Sequence, residues 1–301
     1  MAEADYPLAG DPRVPVARFT PFSSLVRIDV SAVSHPGRVH RNNEDQFLVT
    51  RVTRSLETML TSLPAGDVPE RAEEVNYVMV VADGMGGHAA GEVASRLAIG
   101  AVVALALEIP DWIFKADEAH IDEIERRARD IFRQISSVLF NLGRQDPALR
   151  GMGSTLTAAR SIGRDLLIVH VGDSRAYLCR AGRLLRLTRD HTCAQSLIDA
   201  GLLTPRDAAE SDLRRVLTNA LGGSVEHANV DVDLLRLEDG DRVLLCSDGL
   251  SDLIDDDRMR ATLNAAQTSH EACGSLLQLA LDGGGHDNVT VVVAGFRFPV
   301  T

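Results

Sequence analysis

The sequence predicts an α+β fold, a layered sandwich in which antiparallel strands come before, between and after helices. Three observations predict it. Between Thr155 and Leu187, short apolar runs are separated by the tight turns Gly163-Arg164-Asp165, Gly172-Asp173-Ser174 and Ala181-Gly182-Arg183. Turns this short join antiparallel strands, because parallel neighbours need a long crossover. Upstream, Ile121, Ile124, Ala128, Ile131, Ile135 and Val138 recur every three or four residues against a charged face, the mark of a helix packed on one side. Finally, 301 residues at 45% hydrophobic content suffice for a large core, and no composition shift divides residues 25–298. One domain is therefore expected there.

Taken in order, residues 1–24 hold four prolines and no hydrophobic period, and read as an irregular arm. Partial alternation over Leu25–Val33 suggests a first strand, followed by a turn at His35-Pro36-Gly37-Arg38. A polar cluster, His40-Arg41-Asn42-Asn43-Glu44-Asp45, precedes a second strand at Phe47-Leu48-Val49. Residues 54–75, with Pro64, Gly66, Pro69 and several charges, read as a connection or insertion with room for a short helix. The apolar run Val78–Ala82 is a buried strand that stops at Asp83, and a helical pattern begins at Ala89 and runs up to Pro110. A second helix ends near Asn141-Leu142-Gly143. Beyond the hairpin region, 191–216 read as short helices and loops, and Val230–Leu237 with Arg242–Cys246 as a strand pair. Two helical stretches near 250–265 and 268–281 lead to a last strand, Asn288–Phe296.

A net charge of −12, from 31 basic and 43 acidic residues, argues against sequence-independent nucleic-acid binding, which needs a basic footprint. Cys179, Cys193, Cys246 and Cys273 show no C-x-x-C or zinc-like spacing and read as reduced thiols. No apolar run reaches the roughly 18 residues of a membrane span, and the acidic start lacks signal-peptide features, so a cytoplasmic location is expected.

The chemistry-bearing pattern is a carboxylate where a strand meets a loop. It occurs at Asp45, Asp83, Asp173, Asp248 and Asp287, each beside an apolar run and near a Gly, Ser or Asn. Alone, Asp83-Gly84 is an ordinary turn dipeptide. Together, five such carboxylates converging without cations repel one another and resist ionisation. All-oxygen sets of this kind suit Mg²⁺ or Mn²⁺. Two such ions sharing a carboxylate can activate a water and clamp an in-line displacement at phosphorus.

On ordered blocks, the sequence resembles the metal-dependent Ser/Thr protein phosphatases of type 2C, in their bacterial form. The blocks include Asn42-Asn43-Glu44-Asp45, Val81-Ala82-Asp83-Gly84-Met85-Gly86-Gly87-His88, Met152-Gly153-Ser154-Thr155, Gly172-Asp173-Ser174-Arg175, Leu217-Thr218-Asn219-Ala220-Leu221-Gly222, Ser247-Asp248-Gly249 and Asp287-Asn288-Val289-Thr290. The resemblance implies a four-layer α-β-β-α sandwich with two central antiparallel sheets. It also implies hydrolysis of phosphoserine and phosphothreonine by metal-activated water, on proteins phosphorylated by a cognate Ser/Thr kinase system. Asp83 would bridge two Mn²⁺ or Mg²⁺ ions. Asp248 and Asp287 would complete one of them, and Asp45 with the Gly84 carbonyl the other, Glu44 lying beside or behind it. Asp173, shared with Asp248, would hold a weaker third ion. Residues 193–216 would form a flap beside the active site.

The chain departs from the family at His40, where an arginine that binds the substrate phosphate is usual. Histidine lacks the permanent charge and planar fork of arginine. Weaker phosphate binding that falls as His40 deprotonates is one expectation; the other is that a nearby arginine does the job. Strand alternation would point Arg41 to the opposite face from His40, and would put Arg38 on the same face one pleat away. Met85, as in bacterial members, leaves no side chain after the Asp-Gly to protonate a leaving group. Asp190-His191 and His88 read as structural. A regulator with this fold that binds phosphoprotein with little turnover is the alternative class, supported by His40 alone; the complete aspartate set opposes it.

Overall fold

The computed structural model describes residues 26–298 apart from 65, 87–89, 109–120 and 225. The expected arm at 1–24, His88 and Pro110 lie outside the described residues.

One sheet is built from β1 (Arg27–His35), β7 (Arg175–Arg180), β8 (Arg183–Arg186), β11 (Arg242–Cys246) and β12 (Val289–Arg297), in the order β1-β12-β11-β7-β8. The other contains β2 (Asp45–Glu57), β3 (Arg71–Met85), β5 (Leu156–Ile162), β6 (Asp165–Val171) and β10 (Asp231–Arg236), with the two-residue strands β4 (Gly153–Ser154) and β9 (Leu221–Gly222) continuing from the end of β3. Every strand pairing is antiparallel. Helices α1 (Ala90–Glu108) and α2 (Ile121–Gln145) cover the second sheet. Helices α5 (Asp248–Ser251), α6 (Asp256–Ala265) and α7 (Ser269–Asp282) lie on the first. Two short helices, α3 (Cys193–Asp199) and α4 (Pro205–Ala209), and a 3₁₀ turn, Asp212–Arg215, form an excursion closed at its base by the Thr192–Leu217 bridge.

Strand alternation produces the layers. In β11, Val243 and Leu245 enter the core between the sheets, while Leu244 and Cys246 pack under the helices. In β12, Val292, Ala294 and Phe296 face the same inner core, while Val291 and Val293 face α6 and α7. On β3, Met79 and Val81 point inward, and Val80 and Ala82 meet Ala94, Ala98 and Phe132 of the opposite helices. Three apolar interfaces thus separate four layers, α-β-β-α. Truncating Phe296, which is wholly buried between the sheets, is expected to cost about 3–5 kcal/mol.

Two expectations change. Residues 54–57 and 71–75 are not a connection with a short helix: they continue β2 and β3, whose register runs out to Glu57↔Arg71. The reason is that Arg54-Ser55-Leu56-Glu57 and Arg71-Ala72-Glu73-Glu74 lack the apolar alternation that marks a strand, yet pair across the hairpin through their backbone. Residues 36–44 are a turn and loop rather than a strand, so the alternation argument applied to residues 38, 40 and 41 does not hold. Gly37 initiates that turn with φ +78°.

Candidate active site

The antiparallel pairing brings distant residues to one end of the sandwich. β3 ends where β2 begins, and Asp45 lies opposite Asp83 in the register. β11 ends where β7 and β12 begin, Cys246 pairing with both Arg175 and Val291. Asp248 opens α5 after β11, Asp287 immediately precedes β12, and Asp173 sits in the turn from β6 to β7. Asp83, Asp173, Asp248, Asp287 and Glu44 therefore line one cleft of about 730 Å³. Asp45 lies beneath it, almost fully buried at 1% exposure.

The backbone around these groups is tied down by side chains. Ser247 Oγ donates to Asp45 Oδ2 at 2.6 Å, and the Thr290 amide donates to Ser247 Oγ at 2.9 Å. The Asp83 amide donates to Thr155 Oγ1 at 3.0 Å, and Ser154 Oγ donates to the Asp83 carbonyl at 3.1 Å. Asn288 clamps the loop: its Oδ1 accepts from the Glu44 amide at 2.7 Å, and its Nδ2 donates to the Pro36 and Asn42 carbonyls at 3.0 Å each. These polar residues of the Gly-Ser-Thr and Asp-Asn-Val-Thr blocks are scaffolding for the carboxylates.

Among the described residues, the positive charges that face these carboxylates, Arg175 toward Asp173 and His40 toward Glu44, only partly offset their burial. Burial pushes Asp83 well above the ordinary carboxylate range, and the charges of Asp45, Asp248, Asp173 and Asp287 push it further. Asp248 is raised by burial, then by Asp173, Asp287, Asp252 and Asp45. Burial raises Asp45 to about 6 despite hydrogen bonds from Ser247 and Thr290, and raises Asp173 to about 7 with help from Asp190 and Asp252. Glu44 is raised by burial, an effect that His40 opposes. Among the described residues, the buried oxygens Asp45 Oδ1 and Asp248 Oδ1 have no hydrogen-bond partner. Buried acceptors normally find donors, so these two point to a missing positive group.

The donor set fits a hard divalent cation. A methyl group on Gly91 would lie 2.0 Å from Glu44 Oε2 and 2.8 Å from the Gly84 carbonyl oxygen, so both oxygens flank one small space. Gly84 itself is closed to any side chain, since a Cβ there would lie 2.0 Å from the Gly91 carbonyl oxygen. Among the described residues, no three His, Cys, Asp or Glu side chains close into a ready cage for an ion. An open set of carboxylates and one carbonyl suits Mg²⁺ or Mn²⁺, which keep several waters.

His40 is on the cleft rim, its Nε2 3.6 Å from Asp287 Oδ1, with both side chains about half exposed. Arg41 is exposed and does not line the cleft. Arg38 turns away, donating from Nε to the Leu281 carbonyl at 2.9 Å at the end of α7. The cation that sequence reasoning missed is Arg215, at the end of the excursion. It lines the cleft, and its Nε is 3.3 Å from Asp252 Oδ2. Thr218, Asn219 and Ser224 also line it. The Leu217–Gly222 block pointed to this segment, but only the tertiary fold shows which of its neighbours face the cleft. Met85 lines the cleft directly after Gly84.

Asp190 behaves in the opposite way. Burial alone would raise it, yet hydrogen bonds and charge from Arg175, joined by Arg186, hold it below the ordinary value. Arg175 Nη2 donates at 2.7 Å, and Arg186 also pairs with it. His191 accepts from the Gly172 amide at 3.1 Å and meets Asp231 at 3.0 Å, fixing the turn that carries Asp173. Both residues of Asp190-His191 are structural, as expected, and the cysteines among the described residues are free.

Among the described residues, no helix is long and apolar enough to cross a membrane. A family model for protein phosphatase 2C matches residues 68–281. The chain is 42% identical over 219 residues to the serine/threonine protein phosphatase PstP of Mycobacterium tuberculosis, a match covering 72% of this chain and 40% of that protein. This chain thus spans about two-fifths of that relative's length. With the protein phosphatase PhpP of Streptococcus pneumoniae, identity is 30% over 278 residues, covering 90% and 98% of the two chains. The crystal structure of the PstP catalytic domain in complex with two manganese ions superimposes with a TM-score of 0.70 at 36% identity, covering 90% of this chain and 99% of that one. With the four layers, the strand-end carboxylates and these similarities together, the chain belongs to the protein phosphatase 2C family.

Proposed function

We propose that the chain is a metal-dependent phosphoprotein phosphatase that hydrolyses phosphoserine and phosphothreonine. The observation that carries this reading is the buried, mutually repelling carboxylate set on the floor of an open cleft, with one oxygen each of Asp45 and Asp248 left without a hydrogen-bond partner among the described residues. The family and the relatives' names support it. Two Mn²⁺ or Mg²⁺ ions fit best. Asp83 would hold both, Asp248 and Asp287 one, and Asp45, Glu44 and the Gly84 carbonyl the other, with Asp173 and Asp248 at a weaker third position. Bound there, the ions supply Lewis acidity, lowering the pKa of a water nucleophile and neutralising phosphoryl oxygens.

The chain's own residues do the rest. Ser247 and Thr290 orient Asp45, while Thr155 and Ser154 fix the Asp83 backbone. Asn288 positions Glu44 by its amide. His40 and Arg215 flank the cleft as hydrogen-bond donors for the phosphoryl oxygens, Arg215 with a permanent charge. Met85 has no acidic proton to give, so no side chain there protonates the leaving oxygen. The proposed substrates are phosphorylated proteins, made by a cognate Ser/Thr kinase system, a reading supported by the relatives' names.

The test is hydrolysis of phosphoserine and phosphothreonine peptides with Mn²⁺, then with EDTA. Turnover that EDTA abolishes and Mn²⁺ restores is expected. Tight peptide binding without turnover would replace this reading with that of a phosphoprotein-binding regulator.

A further inference from the structure

A second recess adjoins the carboxylate cleft, and Met85, Gly223 and Ser224 form a wall common to both. Its chemistry is reversed. The cleft is floored by acids, whereas the recess holds Arg144 and Arg150 and has no carboxylate among its described lining residues. It lies where the end of α2 meets the turn at Gly151, with Phe140 and Gly143 as its apolar side. The Arg144 guanidinium sits 5.7 Å from the centroid of the Phe140 ring, which supports it from one face and leaves its edge free to donate. Neither arginine is within ion-pair distance of a carboxylate among the described residues. In contrast, Arg126, Arg127 and Arg129, on α2 with Arg144, are all paired. What sets these two exposed arginines apart is their place: both line one concavity that shares Met85, Gly223 and Ser224 with the acidic cleft.

Resting on the phosphatase reading, we propose that this recess binds an anionic side chain of the phosphoprotein, a carboxylate or a second phosphate close in sequence to the phosphoresidue. The fork of an arginine donates two parallel hydrogen bonds to either group. Met85 is the ridge between the two compartments. Its methyl carbon occupies the space above Gly153 and Gly223, where side chains at those glycines would meet it at 2.5 and 3.3 Å. A substrate with its phosphate in the cleft crosses this ridge to put a neighbouring anion on Arg144 and Arg150. The recess thus selects substrates rather than taking part in the chemistry.

The experiment compares kcat/KM, in Mn²⁺, for three phosphothreonine peptides: one flanked by glutamates, one with a neighbouring phosphoserine, and one flanked by alanines. p-Nitrophenyl phosphate, which is too small to reach the recess, serves as the control. The wild type is expected to favour the anionic peptides by about fivefold, the scale of two exposed charge pairs, with the preference shrinking in high salt. Arg144→Gln combined with Arg150→Gln should bring the three peptides together and leave p-nitrophenyl phosphate hydrolysis unchanged. Arg150→Glu should favour a lysine-flanked peptide. A preference for glutamate but not phosphoserine, or the reverse, identifies which anion the recess takes. Equal rates on all three peptides in the wild type, or a preference that survives the double variant, would overturn the proposal. Absence of any metal-dependent p-nitrophenyl phosphate hydrolysis would instead overturn the phosphatase reading beneath it.

Discussion

Asp190 and Asp83 are both acidic residues drawn into the protein at one end of the same sandwich, yet their surroundings are opposite. Asp190 is met by Arg175 and Arg186, and its carboxyl is held below the ordinary range. Asp83 is met by Asp45, Asp248, Asp173 and Asp287, and its carboxyl is driven well above it. A buried charge is tolerated when paired and costly when not. The first arrangement is complete without a ligand and holds the turn of Asp173 in place. The second is complete only with added positive charge. The difference separates structural from functional carboxylates with no reference to sequence similarity.

The comparison can be broken by exchanging charge on each side. On the proposed metal centre, Asp83→Asn should abolish metal-dependent turnover, by at least about a thousandfold, because the carboxylate proposed to hold both ions would be lost. The same variant, melted in EDTA, should be more stable than the wild type by about 2–4 °C, since a repelling group has been neutralised. Asp190→Asn should do the reverse: urea melts should show a loss of about 3–5 kcal/mol, from leaving the Arg175 charge buried without its partner. Equal stability changes in the two variants would show that the carboxylates do not differ in kind.

His170 extends the comparison to a basic group. It is buried with both ring nitrogens hydrogen-bonded, to Thr157 and the Arg189 carbonyl. Burial, aided by the nearby His191, depresses its pKa from 6.5 to about 4. In the unfolded chain it takes a proton near 6.5; in the folded protein it resists until about 4. Stability is therefore full above the unfolded value and falls as pH drops from 6.5 to 4, by up to about 3 kcal/mol. Urea melts of wild type and His170→Gln across this window should differ in slope, with the variant flatter. The smallest effect belongs to the rim. His40→Arg should lower KM for p-nitrophenyl phosphate by a few-fold, about 1 kcal/mol, because an arginine fork replaces a single ring donor. An unchanged KM would assign phosphate binding to Arg215 instead.

What could be read from the sequence was what local pattern encodes. The antiparallel sheets followed from short runs and tight turns between Thr155 and Leu187, which need no tertiary information. The strand-end aspartates were visible because an apolar run that stops at an acid is a local event. The β2–β3 hairpin arm was not visible, because Arg54-Ser55-Leu56-Glu57 and Arg71-Ala72-Glu73-Glu74 carry no alternation of apolar and polar residues. The turn at His35–Arg38 was legible, but the strand alternation applied to residues 38, 40 and 41 does not hold, because the chain stays in a turn and loop up to residue 44, with Gly37 close against the backbone of residues 285 and 287. Arg215, Arg144 and Arg150 could not be singled out. Which arginines are paired and which face a cavity depends on elements far apart in the chain, such as Asp252 for Arg215.

The most direct test is calorimetric titration of the metal-free protein with Mn²⁺. Binding at two tight positions is predicted for the wild type, with a rise in melting temperature that tracks occupancy. Loss of tight binding is predicted in Asp83→Asn, and retention of both tight positions in Asp190→Asn. Absence of Mn²⁺ binding in the wild type, or unchanged binding in Asp83→Asn, would contradict the assignment of the unpaired carboxylates to a metal centre.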